Sequence, residues 1–181
     1  MIWIILGVIA VLVLWFIGVY NALIQLRNKV KNQFSQIDVQ LKRRFDLIPN
    51  LVETVKGYAK HESETFEKVI AARSSYASAT TDAEKIDAAN EMSKAVRGLL
   101  AVAEAYPELK ANTNFMSLQN DLKETEEKIS YARQFYNDSV MVYNNKIQVI
   151  PSNIVAGICG FKAEKLFEAG SEERENVKVE F

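Results

Sequence analysis

The sequence predicts an all-α fold: an N-terminal transmembrane helix continuing into an elongated antiparallel three- to four-helix bundle with coiled-coil-like packing. Three observations carry this expectation. No charged residue occurs between Ile2 and Leu26. Turn formers are scarce, with 7 Gly and 3 Pro in 181 residues, so elements must be long and a many-stranded β fold is disfavoured. Apolar residues then recur at steps of three and four through most of the remaining chain, which is the helical period. Hydrophobic residues make up 49% and charged residues 25%, a balance that fits neither a disordered chain nor a polytopic membrane protein. Setting aside the first twenty-six residues leaves roughly 155, enough for one folded body.

Residues 1–26 read as the anchor. A span needs about 20 apolar residues to cross a hydrocarbon core of ~30 Å, and a helix satisfies its own backbone there. Trp3 lies at one end of the run and Trp15 and Tyr20 near the other, where amphipathic rings favour the interface. No basic region precedes Ile2, and Gly18-Val19-Tyr20 and Tyr20-Asn21-Ala22 do not make a small-x-small cleavage site, so an uncleaved anchor is expected. Arg27, Lys29 and Lys31 follow the run at once and are the expected headgroup contacts. By the positive-inside rule they place the short N-terminus outside and the helical body in the cytoplasm.

Residues 27–161 read as the bundle. Val30, Phe34, Ile37, Leu41, Phe45, Ile48, Val52, Val55, Ala59, Phe66 and Val69 predict one helix over about 27–76, kinked at Pro49 because proline removes a hydrogen bond. Thr81 or Asp82 caps a second helix, about 82–105, with Ile86, Ala89, Met92, Val96, Leu99 and Ala103 on its apolar face. Tyr106-Pro107 stops it. From Asn112 or Thr113, Phe115, Leu118, Leu122, Thr125, Ile129, Ala132, Tyr136, Ser139, Tyr143 and Ile147 hold a 3.5-residue repeat, which predicts a third helix over about 112–149 with coiled-coil-like packing. A short helix over 152–158 follows Pro151, with Phe167 tucking back, and residues 162–181 read as an acidic C-terminal tail, loose from Gly170 on.

No pattern in the chain carries recognisable chemistry. The only histidine, His61, has neither partner that a helical di-iron or zincin motif needs, and reads as a helix-surface residue. Cys159 stands alone in a Gly-rich turn, so no intrachain disulfide is possible. No glycine-rich phosphate loop or Gly-x-Ser-x-Gly occurs. Glu124, Glu126 and Glu127 read as a solvated helix face, with Glu124 and Lys128 in the favourable i,i+4 order. Net charge is −1, unevenly spread: Arg27 to Lys60 holds eight Lys/Arg against three Asp/Glu, and the rest fourteen against twenty. The expectation is therefore no cofactor, no metal, no small-molecule substrate and no nucleic acid. Lys42-Arg43-Arg44 lies about 24 Å beyond Leu26 on a straight helix, further than a Debye length of ~8 Å, so it is expected to pair with the acidic third helix or a neighbouring subunit.

Several blocks together resemble the LemA family of bacterial membrane proteins along nearly the whole chain. They are Tyr20-Asn21-Ala22-Leu23, the stretch from Gln36-Ile37-Asp38 through Lys42-Arg43-Arg44-Phe45-Asp46-Leu47-Ile48-Pro49-Asn50 to Val52, Ala105-Tyr106-Pro107-Glu108-Leu109-Lys110-Ala111, Thr125-Glu126, and Tyr136-Asn137-Asp138. Asp121 departs from the family's usual Glu, and the stretch after Lys162 is less typical. The resemblance implies a helical bundle anchored in the bacterial cytoplasmic membrane and implies no reaction. It also suggests a role in envelope maintenance beside membrane proteases or other envelope proteins. The expected function is a non-enzymatic scaffold that self-associates, with a regulator or adaptor of a membrane protease or sensor kinase as the alternative. Arg43, Arg44, Asp46, Asn50, Thr125 and Glu126 are the candidate helix-pairing or partner-binding residues.

Overall fold

The computed structural model describes residues 1–167; residues 168–181, most of the expected acidic tail, lie outside the described residues. The described chain is all-helical: α1 (Ile2–Lys56), α2 (Ser63–Ser78), α3 (Asp82–Glu104), α4 (Pro107–Lys110), α5 (Thr113–Gln148) and α6 (Ser152–Ile158). The described residues divide into two compact units, one of residues 1–36 and 132–166, the other of residues 37–131 with Phe167.

In the second unit four helices alternate in direction. Ile48, Leu51 and Val55 of α1, Phe66, Val69 and Ala72 of α2, Met92, Val96 and Leu99 of α3, and Phe115 and Leu122 of α5 share one core. This is an up-down-up-down arrangement, in which short connections join antiparallel neighbours.

The fourth helix corrects the expected single helix over 27–76. The helix continues through Pro49 as expected, but it does not run on to 76: it ends at Lys56, and the chain reverses over residues 57–62. Local propensity alone points to Pro49, where the cost is ~3 kcal/mol, over Gly57, where it is ~1 kcal/mol. Packing decides otherwise. Ile48 and Leu51 flank the proline and are both fully buried, which holds the axis through it. Reversing after Lys56 lets Phe66 and Val69 bury against the α1 stripe, and full burial of such a side chain stabilises by ~1.5–3 kcal/mol. His61 consequently sits exposed in this turn and not on a helix.

Capping fixes the other starts. Thr81 Oγ1 accepts from the Glu84 N–H at 3.2 Å, while the Glu84 carboxylate accepts from the Thr80 and Thr81 N–H groups at 2.8 and 3.0 Å, a capping box. Asn112 Oδ1 accepts from the Phe115 N–H at 3.0 Å at the start of α5. Pro107 opens α4, where its missing N–H is no loss.

In the first unit, the early part of α1 and the later part of α5 run antiparallel. Phe34 meets Tyr136 edge-on at 5.7 Å, and Leu23 shares a cluster with Ile147, Val155 and Ala156. Residues 162–166, the start of the expected acidic tail, are held by α5. The Tyr136 and Tyr143 hydroxyls donate to the Lys165 and Lys162 carbonyls at 2.8 and 2.9 Å, and Asn144 makes a two-way pair with the backbone of Glu164. Side chains of α5 therefore hold this segment by its backbone, and its own composition carries no sign of that. Phe167 is buried.

We expect Thr81→Ala to lower the stability of the second unit by ~1 kcal/mol in a denaturant titration. The backbone N–H groups of Thr80 and Thr81 hold the Glu84 carboxyl below its ordinary 4.5. The contribution of the cap is then fully present above pH 4.5 and is lost as pH falls through the lower folded value. Amide exchange in the first turn of α3 should accelerate across that acid window in the parent protein and not in Glu84→Gln.

Candidate functional site

Arg44 lies in the interior of the second unit, 2% exposed. From Ile37 the buried residues of α1 run Leu41, Arg44, Ile48, Leu51 and Val55, at steps of four, three, four, three and four. Arg44 therefore occupies a seam position of a 3.5-residue repeat, and Phe45, the expected stripe residue, is only half-buried beside it. That phase was the available signal for a buried arginine.

A buried guanidinium needs its hydrogens satisfied and its charge met. Arg44 Nη1 donates to Ser93 Oγ at 2.6 Å and to Glu126 Oε2 at 2.9 Å, and Nη2 donates to the Ala89 carbonyl at 2.9 Å. One side chain thus ties α1 to α3 and α5. Nε is buried without a partner. Glu126 stays half-exposed, so its carboxylate keeps much of its hydration. Beside it Thr125 is fully buried, and its hydroxyl donates back to the Asp121 carbonyl at 2.7 Å, which lets a polar residue occupy the seam.

The other candidate residues lie further out. Arg43 is half-exposed, 3.8 Å from Glu124 and 4.0 Å from Asp121. Lys128 and Arg43 together hold the Glu124 carboxyl below its ordinary value, the Lys128 hydrogen bond first. Asp46 is exposed, 3.9 Å from Lys42, and Asn50 is exposed. The basic triplet therefore meets acidic α5 through Arg43 and Arg44, whereas Lys42 pairs within its own helix. In the first unit Trp3, Trp15, Lys29 and Lys31 are exposed, Tyr20 meets Phe161 edge-on at 5.8 Å, and the Arg27 guanidinium lies 5.2 Å over the Phe161 ring.

A second polar junction went unread in the sequence. Asp38 accepts from Lys85 Nζ at 3.0 and 3.1 Å and from the Tyr76 hydroxyl at 3.1 Å, joining α1, α3 and α2. Burial, then the Asp38 charge, holds the Tyr76 phenol well above its ordinary value, so it stays a donor. Asp38 and Lys85 each stand next to a buried isoleucine, Ile37 and Ile86, at the rim of a stripe. Opposite charges at two rims become a pair only once the helix order is known.

Between α3 and α5 a groove of about 400 Å³ opens beside Arg44, lined by Val96, Leu100, Leu122, Lys123 and Glu126. Among the described residues no group of three or more His, Cys, Asp or Glu is placed to hold a metal ion. Cys159 is free and exposed. The junctions pair charges and hydrogen bonds across three helices and set which helix faces which.

A family model described as the LemA family matches residues 33–181. Protein LemA of Metamycoplasma hominis is 26% identical over 163 residues, covering 90% of this chain and 74% of that protein. Magnetosome protein MamQ 2 of Paramagnetospirillum magneticum is 24% identical over 175 residues, covering 82% of this chain. Magnetosome protein MamQ of Magnetospirillum gryphiswaldense is 23% identical over 174 residues, with the same share of this chain. Both matches span 64% of the magnetosome protein, under two thirds of its length. None of these names states a reaction.

Because Glu126 is half-hydrated and Arg44 is not, the two substitutions should be unequal. We expect Glu126→Ala, which strands the buried guanidinium, to destabilise by about 2–3 kcal/mol in urea, and Arg44→Met, which suits a seam position, to cost under ~1 kcal/mol.

Proposed function

The chain belongs to the LemA family, and from that premise we propose that it is a non-enzymatic scaffold, anchored in the bacterial cytoplasmic membrane and self-associating there. One observation carries this reading. The uncharged stretch and the first bundle helix are a single element, α1, and from Ile2 through Trp15 no residue is covered by protein. A helix apolar on all sides needs an apolar solvent, and its length matches a bilayer. Arg27, Lys29 and Lys31 then sit among headgroups on the cytoplasmic side, with Trp3 at the opposite interface.

Self-association draws support from the outer face of α5, where Phe135 and Val142 are exposed seven residues, about two helical turns, apart. Anchoring confines copies to two dimensions, so a weak apolar contact suffices. Relatives named for the magnetosome, and not for a reaction, fit a structural role. The groove beside Arg44 favours a second reading, an adaptor that takes a segment of a partner such as a membrane protease or sensor kinase. Its apolar walls of Val96, Leu100 and Leu122, with Lys123 and Glu126 beside them, suit an amphipathic peptide segment.

Crosslinking of the full chain in native membranes at native density should give dimers and larger species, reduced by Phe135→Glu. A strictly monomeric pattern refutes self-association. A stoichiometric co-purifying membrane protein lost on Lys123→Glu favours the adaptor reading.

A further inference from the structure

The short helix after Pro151 is built for a second contact with lipid. From Ile147 to Phe161 the chain carries no charge for fifteen residues, and lysines, Lys146 and Lys162, stand at both ends. Within this run Val155 and Ala156 of α6 are buried against Leu23 of α1, with Phe16 and Val19 alongside. Phe16 to Leu23 covers about 10 Å of helix axis. A span of about 20 residues starting at Ile2 ends between them, so α6 lies at the level where the apolar stretch leaves the hydrocarbon.

The opposite face of the run is bare. On α6, Ile154 and Ile158 are 56% and 72% exposed and lie four residues apart on one face, and Ile150, in the turn just before the helix, is 82% exposed. Large aliphatic side chains bared this close together are disfavoured in water. The helix that carries this patch is packed against α1 through the cluster at Leu23, beside the end of the uncharged stretch.

The backbone suits the same place. α6 ends in a Schellman motif: Gly160 takes φ 70°, its N–H donates to the Gly157 carbonyl at 3.3 Å, and the Phe161 N–H donates to the Ala156 carbonyl at 2.9 Å. At the other end the Ser152 hydroxyl lies 2.6 Å from the Lys146 carbonyl, and the Asn153 N–H donates to the Val149 carbonyl at 2.9 Å. Carbonyls that water would otherwise serve at these helix ends are met by the chain itself, as a low-dielectric setting requires. Seven helical residues are too few to cross a bilayer, whereas an interfacial helix needs only to sink its apolar face by ~5–10 Å.

We propose that residues 147–161 form an interfacial wedge, with Ile150, Ile154 and Ile158 inserted among the acyl chains of the leaflet where α1 emerges and Lys146 and Lys162 held at the headgroups. This rests on the reading that α1 spans the bilayer. The full chain thus holds the membrane at two places, one spanning and one lying in the surface.

The sole cysteine, Cys159, is exposed at the end of α6 and serves as a native reporter. The full chain is reconstituted into phosphatidylcholine–phosphatidylglycerol vesicles with an environment-sensitive fluorophore on Cys159, or on Ile154→Cys or Leu12→Cys in a Cys159→Ser background. Quenching by nitroxide-labelled lipid is compared with quenching by aqueous iodide. The wedge requires blue-shifted emission and several-fold stronger quenching by the lipid probe at positions 159 and 154. Iodide quenching at both, with position 12 still quenched by lipid, overturns the wedge and leaves the anchor standing. Iodide quenching at position 12 as well overturns the anchor and the wedge together.

Discussion

From Ile2 to Trp15 the apolar stretch of α1 is left exposed among the described residues, and that constraint orders the rest of the molecule. A helix apolar on every side has two resting places, the middle of a large core or a bilayer. From Ile2 to Trp15 every residue is exposed, and a bilayer is the apolar solvent whose thickness its length matches. Since the same helix runs on to Lys56, the membrane fixes one end of an element whose other end is the first helix of the bundle. Basic residues just past the stretch, and the apolar contacts of Leu23 with α6, are arranged around that exit point.

Further along, the constraint changes from solvent to register. Long helices with apolar seams can slide by a heptad at small cost, because one leucine replaces another. Arg44 resists this. Its guanidinium is met by Ser93, Ala89 and Glu126 from two other helices, and a slip of one heptad would leave a buried charge with nothing to meet it. Asp38 with Lys85 and Tyr76 repeats the device on another side of the same unit. Such polar junctions add little net stability, and their effect is to exclude alternative pairings. The proposed scaffold role, which would rest on presenting one fixed surface, is served by that exclusion.

Much of this was legible in the residues, and the failures share a cause. The α5 seam could be read from Phe115 to Tyr143, even where Thr125 and Ser139 interrupt it, because a sustained 3.5-residue repeat belongs to the chain alone. The Thr81–Glu84 cap is equally local. The reversal over residues 57–62 was not seen, because Pro49 is the louder local signal and Gly57 the quieter one, and burial of Phe66 and Val69 against α1 overrides both. One hint was present: the stripe skips from Ala59 to Phe66, nearly two turns without a large apolar residue. Arg43-Arg44 was legible as a motif, but only the phase set by Leu41 and Ile48 separates the buried arginine from the exposed one. The hold of α5 on residues 162–166 acts through backbone carbonyls, which carry no residue identity and leave no trace in the sequence.

The account stands on the apolar stretch remaining in lipid as part of the mature protein. Washing native membranes with alkaline carbonate, followed by mass measurement of the chain in each fraction, addresses this most directly. The account requires the chain in the membrane pellet with residues 2–20 intact. A chain released into the wash, or one that begins after Tyr20, contradicts it.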